Sequence, residues 1–512
     1  MVGGETLGVI DNIKRIFKKG GMKLNGQTLN TIFDHDRIDF DSAEYQRINK
    51  SMQLYRGQFE PIEYLNSKGS KVKREYYDLN MMKEVTNHLA KVLYNEKAQI
   101  NVGNEARDYI EQVLTNTQFN KNFSSYLEPM LALGGLIAKP YYDANTGRIE
   151  ISWALADSFI PLYSNTNDIT AGVFASTSTR VENKVKYYYT LLEFHEWENG
   201  KYVITNELYK SSKVDKVGEQ VLLSELYEDL NERTEYLNFS RPNFVYLKPS
   251  GFNNINPDSP LGLGVCDNAL STLKFINDTY DAFHWEIKQG KRKVLVSDHF
   301  VKREVDSEGN MVDKVDDDTD VFLAVRGGMD SVINQDLTKP IRSDDYIKAI
   351  NKVLSTLEMK TGLSAGTFTF DAEGVKTATE VVSRDSTTYR TRNSHLTYVE
   401  QFIKELVVSI LELSKETIGL DGKPLYNGNI PLDKDIVVDF DDGVFSSKSE
   451  EMDFLTKADA LGALPMIQKL MKVWNLDEEE AIKWANQLKA ESEPNVHDNT
   501  EESLNNILGV RE

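Results

Sequence analysis

The feature that most limits what this chain can fold into is a run of forty-two residues, from Thr377 to Ile418, with no glycine or proline inside it. As one helix it would be about 63 Å long, several times the ordinary helix of about 11 residues. Its second half is orthodox: Leu396, Val399, Ile403, Leu406, Ile410 and Leu413 recur in steps of three and four, the seam of a packed helix. Its first half is not. Ser383, Arg384, Ser386, Thr387, Thr388, Arg390, Thr391, Arg392, Asn393 and Ser394 leave almost no apolar stripe. An ordinary core within one chain is not expected to hold that stretch, which calls for other chains beside it or water in a channel. Thr377-Ala-Thr-Glu380 forms a capping box at its start, and Gly419 ends it.

Around this rod the pattern alternates between helix and strand. Three helices are expected first, near Leu79 to Tyr94, Glu105 to Leu114 and Phe119 to Leu133, the last kinked at Pro129 and stopped by Gly134-Gly135. Residues 30 to 60 show no clean period. From Leu136 to about Leu247 the texture is antiparallel sheet. Strands at 138–142 and 148–153 flank a turn, and Val185 to Trp197 meets Tyr202 to Thr205 across Asn199-Gly200. A helix then runs from Asp267 to Gly290 on Leu270, Leu273, Ile276, Tyr280, Phe283 and Ile287, ending in the basic cluster Lys288, Lys291, Arg292 and Lys293. A short strand-rich insert follows, with strands at 294–296 and 321–325. Helix resumes at Ser343, read as an N-cap with Asp344 and Asp345 in the first turn, and closes at Gly362 behind Lys360. A glycine-bordered loop, 362–374, connects it to the long helix. Beyond Gly419 a strand at 435–440 precedes helices near 450–461, 466–474 and 477–490, the last behind Asn475 as N-cap.

Composition bounds the partners. The 512 residues suggest about three domains. The 59 basic and 80 acidic residues give a net charge of −21, which excludes a surface that grips nucleic-acid phosphate everywhere. The single cysteine, Cys266, excludes a disulfide framework and a multi-cysteine zinc site, and it reads as a buried residue at a helix start. No run approaches the roughly 20 apolar residues of a membrane span. At the N-terminus Val9, Ile10, Ile13, Ile16 and Phe17 lie among Lys14, Arg15, Lys18 and Lys19 without a signal peptide's apolar core. This reads as an arm docking on a partner, with attachment to a membrane surface as the alternative.

Catalytic constellations are fragmentary. Gly262-Leu-Gly264 has Asp267 where a phosphate loop's third glycine belongs. Gly362-Leu-Ser-Ala-Gly366 spells a nucleophile elbow around Ser364, with His395 and His497 downstream, but a helix precedes it and a loop follows. Asp34-His-Asp36 and His195-Glu196 read as surface histidines. Asp439, Asp441 and Asp442 at a strand end would suit Mg²⁺ in a nuclease, or be a solvated turn. No catalytic residue, metal or cofactor is expected.

The order helix, compact insert, returning helix, glycine-bordered loop, very long helix, strand and helical tail resembles the portal proteins of tailed bacteriophages, siphophage type. The likeness spans about Leu79 to Ala490. It is sharpest from Lys360-Thr-Gly-Leu-Ser-Ala-Gly-Thr-Phe-Thr-Phe-Asp371 through Val375-Lys-Thr-Ala-Thr-Glu380 to Arg384. It implies an α+β, mainly helical, multi-domain fold: arm 1–30, wing 31–265, stem helix 266–290, clip 291–342, second stem helix 343–362, tunnel loop 363–376, tunnel helix 377–419, wing strand region 420–445, and crown with tail 446–512. The function implied is a dodecameric ring at one capsid vertex, a conduit that hydrolyses nothing. Double-stranded DNA is packaged through it by a docked terminase and later ejected.

On that resemblance the constriction would be formed by Ser364, Ala365, Gly366, Thr367, Phe368, Thr369, Phe370, Asp371, Gly374, Val375 and Lys376. Phe368 and Phe370 are expected to pack on the next subunit's loop rather than line the hole. Lys288, Lys291, Arg292, Lys293 and Lys376 would hold DNA loosely or transiently, the alternatives being a stem cluster that complements its helix dipole and a solvated Lys376, and Arg384, Arg390 and Arg392 would stud the tunnel helix. The partners implied are the terminase large subunit and then head-completion or adaptor proteins at the clip, and scaffold and major capsid protein at the wing. The implied locations are the virion and, during assembly, the host cytoplasm. The alternatives are the nuclease on the Asp439 cluster and a capsid or tail adaptor without a channel.

Overall fold

The structure is a computed structural model that describes residues 28–39, 41–65, 70–94, 98–165, 168–228, 230–290, 294–297, 302–305, 309, 311–314, 322–325, 334–336, 339–368, 386–440, 457, 465–474 and 478–492. Strand β1 (Thr28–Leu29) is followed by helix α1 (Ser42–Tyr55), the hairpin β2 (Ile62–Leu65) and β3 (Lys71–Arg74), and helix α2 (Met81–Leu93). After β4 (Gln99–Asn101) come α3 (Asn104–Asn116) and α4 (Phe119–Leu133). Helices α2, α3 and α4 fall where their apolar periods put them. Helix α1 was not legible, because Glu44, Arg47 and Ser51 lie on the same buried face as Tyr45, Ile48 and Met52. Buried charges break the period by which an amphipathic helix is recognised.

Helix α4 ends at Gly134, whose φ is +88°. A side chain there would meet the Gly262 carbonyl at 2.3 Å, and one at Gly262 would meet the Gly134 carbonyl at 2.4 Å. Two backbones cross at this point, and only glycine fits both.

Strands β5 (Leu136–Asp143) and β6 (Arg148–Leu155) pair with β13 (Val245–Leu247) in the order β13-β5-β6. Between them the chain builds a larger antiparallel sheet from β7 (Phe159–Ser164), β8 (Ile169–Glu182), β9 (Val185–Glu198), β10 (Lys201–Ser211), β11 (Gly218–Val221) and β12 (Arg233–Tyr236). Its order is β1-β11-β10-β9-β8-β7, with β12 also on β10. Asn199 and Gly200 hold φ of 50° and 79°, the positive values a two-residue hairpin turn needs, as their sequence predicts. Asn183 and Lys184 do the same between β8 and β9, where a lysine at positive φ hides the turn from a sequence reading. Phe159, Phe174 and Phe244 lie 5.0 to 5.8 Å apart in an aromatic cluster that joins the large sheet to the segment entering β13. His195 lies edge-on to Phe244 at 5.7 Å.

Helix α5 (Leu270–Gln289) leads into β14 (Val294–Ser297), β15 (Lys302–Val305), β16 (Met311–Lys314), β17 (Phe322–Val325) and β18 (Asn334–Asp336), and α6 (Ser343–Thr361) returns alongside α5. Strand β14 pairs parallel with β17 and antiparallel with β18. Ser343 is the first helical residue rather than the cap: Arg342 holds that place without a side-chain capping bond.

Helix α7 (Ser386–Glu416) is described over 31 residues, about 46 Å. The expected start at 377–385 lies outside the described residues. Its second half is buried on every side, from Leu406 through Ser414, and packs against β5, β13, α2, α3 and β19 (Val437–Asp439). Strand β19 pairs with β4 across more than 300 positions of sequence. Helix residues outnumber strand residues, as expected of an α+β chain.

Contacts divide the chain into two compact units, Met1–Phe440 and Asp441–Glu512. In the second, α8 (Met466–Trp474) and α9 (Glu478–Ser492) pack through Leu470, Ala481 and Ala485, with Trp474 and Trp484 rings 6.0 Å apart. The helix expected near 450–461 and the cap at Asn475 lie outside the described residues, apart from Lys457.

Candidate functional site

The root of the glycine-bordered loop is built from three locks. Helix α6 closes at Gly362, with φ of +71°, and a side chain there would stand 2.4 Å from Thr391 Oγ1. That hydroxyl instead donates to the Gly362 carbonyl at 2.7 Å. One turn earlier on α7, Thr388 and Ser364 bond reciprocally. The Ser364 N–H donates to Thr388 Oγ1 at 2.9 Å, and the Thr388 N–H donates to Ser364 Oγ at 3.2 Å. Third, Glu358 in the last turn of α6 accepts the N–H of Gly366 at 2.9 Å on one oxygen and the N–H of Phe368 at 2.7 Å on the other. Its side chain is fully buried, at 0% exposure.

Of the residues expected at a constriction, Ser364 is therefore buried, Ala365 is exposed, and Gly366, Thr367 and Phe368 are half-buried. Thr369, Phe370, Asp371, Gly374, Val375 and Lys376 lie outside the described residues. The Phe368 ring meets His88 of its own chain edge-on at 5.8 Å and stays half-buried.

The polar first half of α7 is corrected, on one face. Thr388, Arg392 and His395 point into the protomer and are buried. Arg392 Nε donates to the Val92 carbonyl at 3.0 Å, at the C-terminal end of α2, where the helix dipole favours a cation. The Ser250 N–H donates to His395 Nδ1 at 2.9 Å, and burial drives that imidazole down to about 4. The sequence hid this because hydrogen bonds, not apolar side chains, hold the face. On the other face Thr387, Arg390, Asn393, Ser394 and Thr397 are exposed. Arg384 lies outside the described residues.

Helices α5 and α6 are pinned at their far ends by a fork. Glu286 accepts from Arg342 Nε at 3.1 Å and from its terminal nitrogen at 2.6 Å, and the bonds from Arg342 hold the carboxyl down to about 2. Phe283 stacks on Tyr346 beside it at 5.0 Å. Half-way along α5, Asp281 takes two 2.6 Å bonds from Arg74 of the β2–β3 hairpin. At the start of the helix, Asp267 is buried against Arg47, accepts from Ser51 Oγ at 2.6 Å and caps the Gly264 N–H at 2.7 Å. These pairs carry no local signal in the sequence: Asp281 and Asp267 find Arg74 and Ser51 more than 200 positions away, and Glu286 and Arg342 are 56 apart. Lys288 is exposed over the Tyr77 ring at 5.2 Å. Lys291, Arg292 and Lys293 lie outside the described residues.

Two helices clamped side by side, a loop locked at its root, and a long helix with one free polar face form the candidate site. The family model for phage portal protein, SPP1 Gp6-like, matches residues 34–494. The chain belongs to that family. No curated protein matches it. It is a portal protein, a ring-forming structural component of the virion and the conduit for DNA at the capsid vertex.

Portal proteins are structural rather than enzymatic, and several fragments of catalytic motif in this one are engaged within the fold, while His497 lies outside the described residues. Ser364 is buried in its bond to Thr388, and His395 is committed to Ser250. His195, expected on the surface, is instead buried, with Nε2 2.6 Å from Glu193 and Nδ1 2.7 Å from the Tyr202 hydroxyl. Lys139 and His195 together hold the Glu193 carboxyl far below its usual range. His35, likewise expected outside, sits 2.9 Å from Glu207 and is mostly buried. Cys266 is buried, as expected, and burial pushes its thiol far up. Among the described residues no group of three or more His, Cys, Asp or Glu side chains could hold a metal ion. Asp439 is exposed, and Asp441 and Asp442 lie outside the described residues. Among the described residues no helix is long and apolar enough to cross a membrane.

Proposed function

We propose that this portal protein works as a dodecamer in which residues 363–376 are the tunnel loop and residues 377–419 the tunnel helix. Helices α5 and α6 are the stem, 291–342 the clip, 31–265 with 420–445 the wing, and 446–512 the crown and tail. The terminase large subunit docks at the clip and is later replaced there by head-completion or adaptor proteins. Scaffold and major capsid protein meet the wing, and assembly takes place in the host cytoplasm. The observation that carries this reading is the free polar face of α7, Thr387, Arg390, Asn393, Ser394 and Thr397, beside a loop rooted between stem and long helix. A single chain leaves that face in water, whereas a closed ring gives it a neighbour or a channel.

Twelve copies would carry 12 × −21, or −252 charges. Such a body repels phosphate and lets the duplex slide, while Lys288, Lys291, Arg292, Lys293 and Lys376 hold it only locally. Electron cryomicroscopy with mass photometry on one purified sample tests the reading. The expected outcome is a ring with an axial hole and a mass near 12 × 58.2 kDa. A monomer or dimer at every protein concentration, salt and magnesium level tried would overturn it.

A further inference from the structure

Glu358 is an oddly placed charge. It sits in the last turn of α6, where the helix dipole disfavours an anion, and it is completely buried. Among the described residues no lysine or arginine forms an ion pair with it. A buried carboxylate without a cation is costly unless hydrogen bonds satisfy it, and a leucine of similar size would fill the same space without that cost. What the carboxylate does that leucine cannot is accept the N–H groups of Gly366 and Phe368, one on each oxygen. These are alternate residues of the loop. Binding both at once fixes the peptide planes between them.

The other described hydrogen bonds at the loop root act upstream or within the loop. Thr391 and Thr388 hold Gly362 and Ser364, upstream of that point. Thr367 Oγ1 turns back to the Ser364 carbonyl at 2.6 Å. Phe368 has the edge contact with His88, which positions a ring but not a peptide plane. The carboxylate thus orients the backbone of residues 366 to 368 from outside the loop.

We infer that Glu358 is a positioning residue for DNA passage: from the end of the stem helix its carboxylate fixes the backbone at the root of the tunnel loop, residues 366–368. The inference rests on the reading of residues 363–376 as that loop. It also gives a physical link between the last turn of α6 and residues 366–368, whose two amides share one carboxylate.

The test compares rings of the full chain carrying Glu358→Leu or Glu358→Gln with the unaltered ring, after checking ring mass and melting temperature. Hydrogen exchange read by mass spectrometry on the fragment spanning 363–368 is the first measurement. Yield of DNA-filled capsids in the phage that encodes the chain is the second. For Glu358→Leu we expect rings that assemble and melt normally, with Gly366 and Phe368 amides exchanging roughly tenfold faster, the equivalent of one net hydrogen bond, and filled capsids reduced. Glu358→Gln keeps one acceptor oxygen and turns a donor toward the other amide, so it should fall between the two in both measurements. Unchanged exchange in Glu358→Leu would overturn the positioning role. A fall in melting temperature with exchange raised evenly along the chain would show a merely structural group and overturn it too. Faster local exchange with normal filling would leave the hydrogen bonds standing but sink the assignment of this loop to the DNA path.

Discussion

His395 shows how a single side chain ties the long helix to the pH of its surroundings. Its ring is buried with Nδ1 occupied by the Ser250 N–H, and burial lowers it to about 4, against about 6.5 in an unfolded chain. The unfolded state therefore takes up the proton first. Stability is complete above pH 6.5 and drains as pH falls toward 4, by roughly 3 kcal/mol at the acid end. Asparagine at 395 keeps an acceptor for Ser250 and does not titrate, so His395→Asn should flatten the decline of melting temperature between pH 7 and 4. Burial lowers His195 as well, so part of the slope should persist. Parallel slopes in the two proteins would refute the role of His395. The Glu286 carboxyl belongs to a separate window: its bonds to Arg342 are lost only as pH falls through about 2, below the range in which the histidines act.

Among elements, α7 carries the most information and also the largest gap between pattern and packing. Its apolar seam from Leu396 to Leu413 announces a packed helix, and the structure buries those positions among β5, β13, α2, α3 and β19. On the buried face of its polar half the support is hydrogen bonding, which the period of hydrophobicity does not detect, while the other face stays exposed. Arg392 holds α7 to the end of α2 by a bond to the Val92 carbonyl, whereas Arg390, half a turn away, faces out. In the unassembled chain Arg392→Met should cost about 1–3 kcal/mol by calorimetry, the cost of an unpaired buried carbonyl and a lost charged bond. Arg390→Met should stay within about 0.5 kcal/mol. Equal effects would mean that the inward face is not held as described. Helix α1 makes the same point in reverse, for its buried face includes Glu44, Arg47 and Ser51, a polar cluster whose partner Asp267 is 220 positions away.

For the whole molecule, net charge decides how the conduit treats its cargo. With 80 acidic against 59 basic residues in each chain, the assembled ring should show no general affinity for duplex DNA. At about 0.15 M salt we expect a dissociation constant weaker than about 10⁻⁴ M, the upper end of ordinary non-specific binding. Fluorescence anisotropy with a labelled duplex measures it, and micromolar binding at that salt would contradict a conduit that works by not sticking.

The sequence by itself determined the elements whose signals are local: the three helices before the sheet, the turn at Asn199-Gly200, the two helices flanking the strand-rich insert, and the seam of α7. Periodicity and turn chemistry are written within a few residues of each other, and their order along the chain was enough to resemble the family that the comparison then matched over residues 34–494. Only the tertiary structure decided which polar residues were spoken for. Arg47 with Asp267, Arg74 with Asp281, Arg392 with Val92, and Glu358 with the loop amides become legible once the chain is folded. A buried hydrogen bond leaves no period in sequence, and most of its partners arrive from far along the chain.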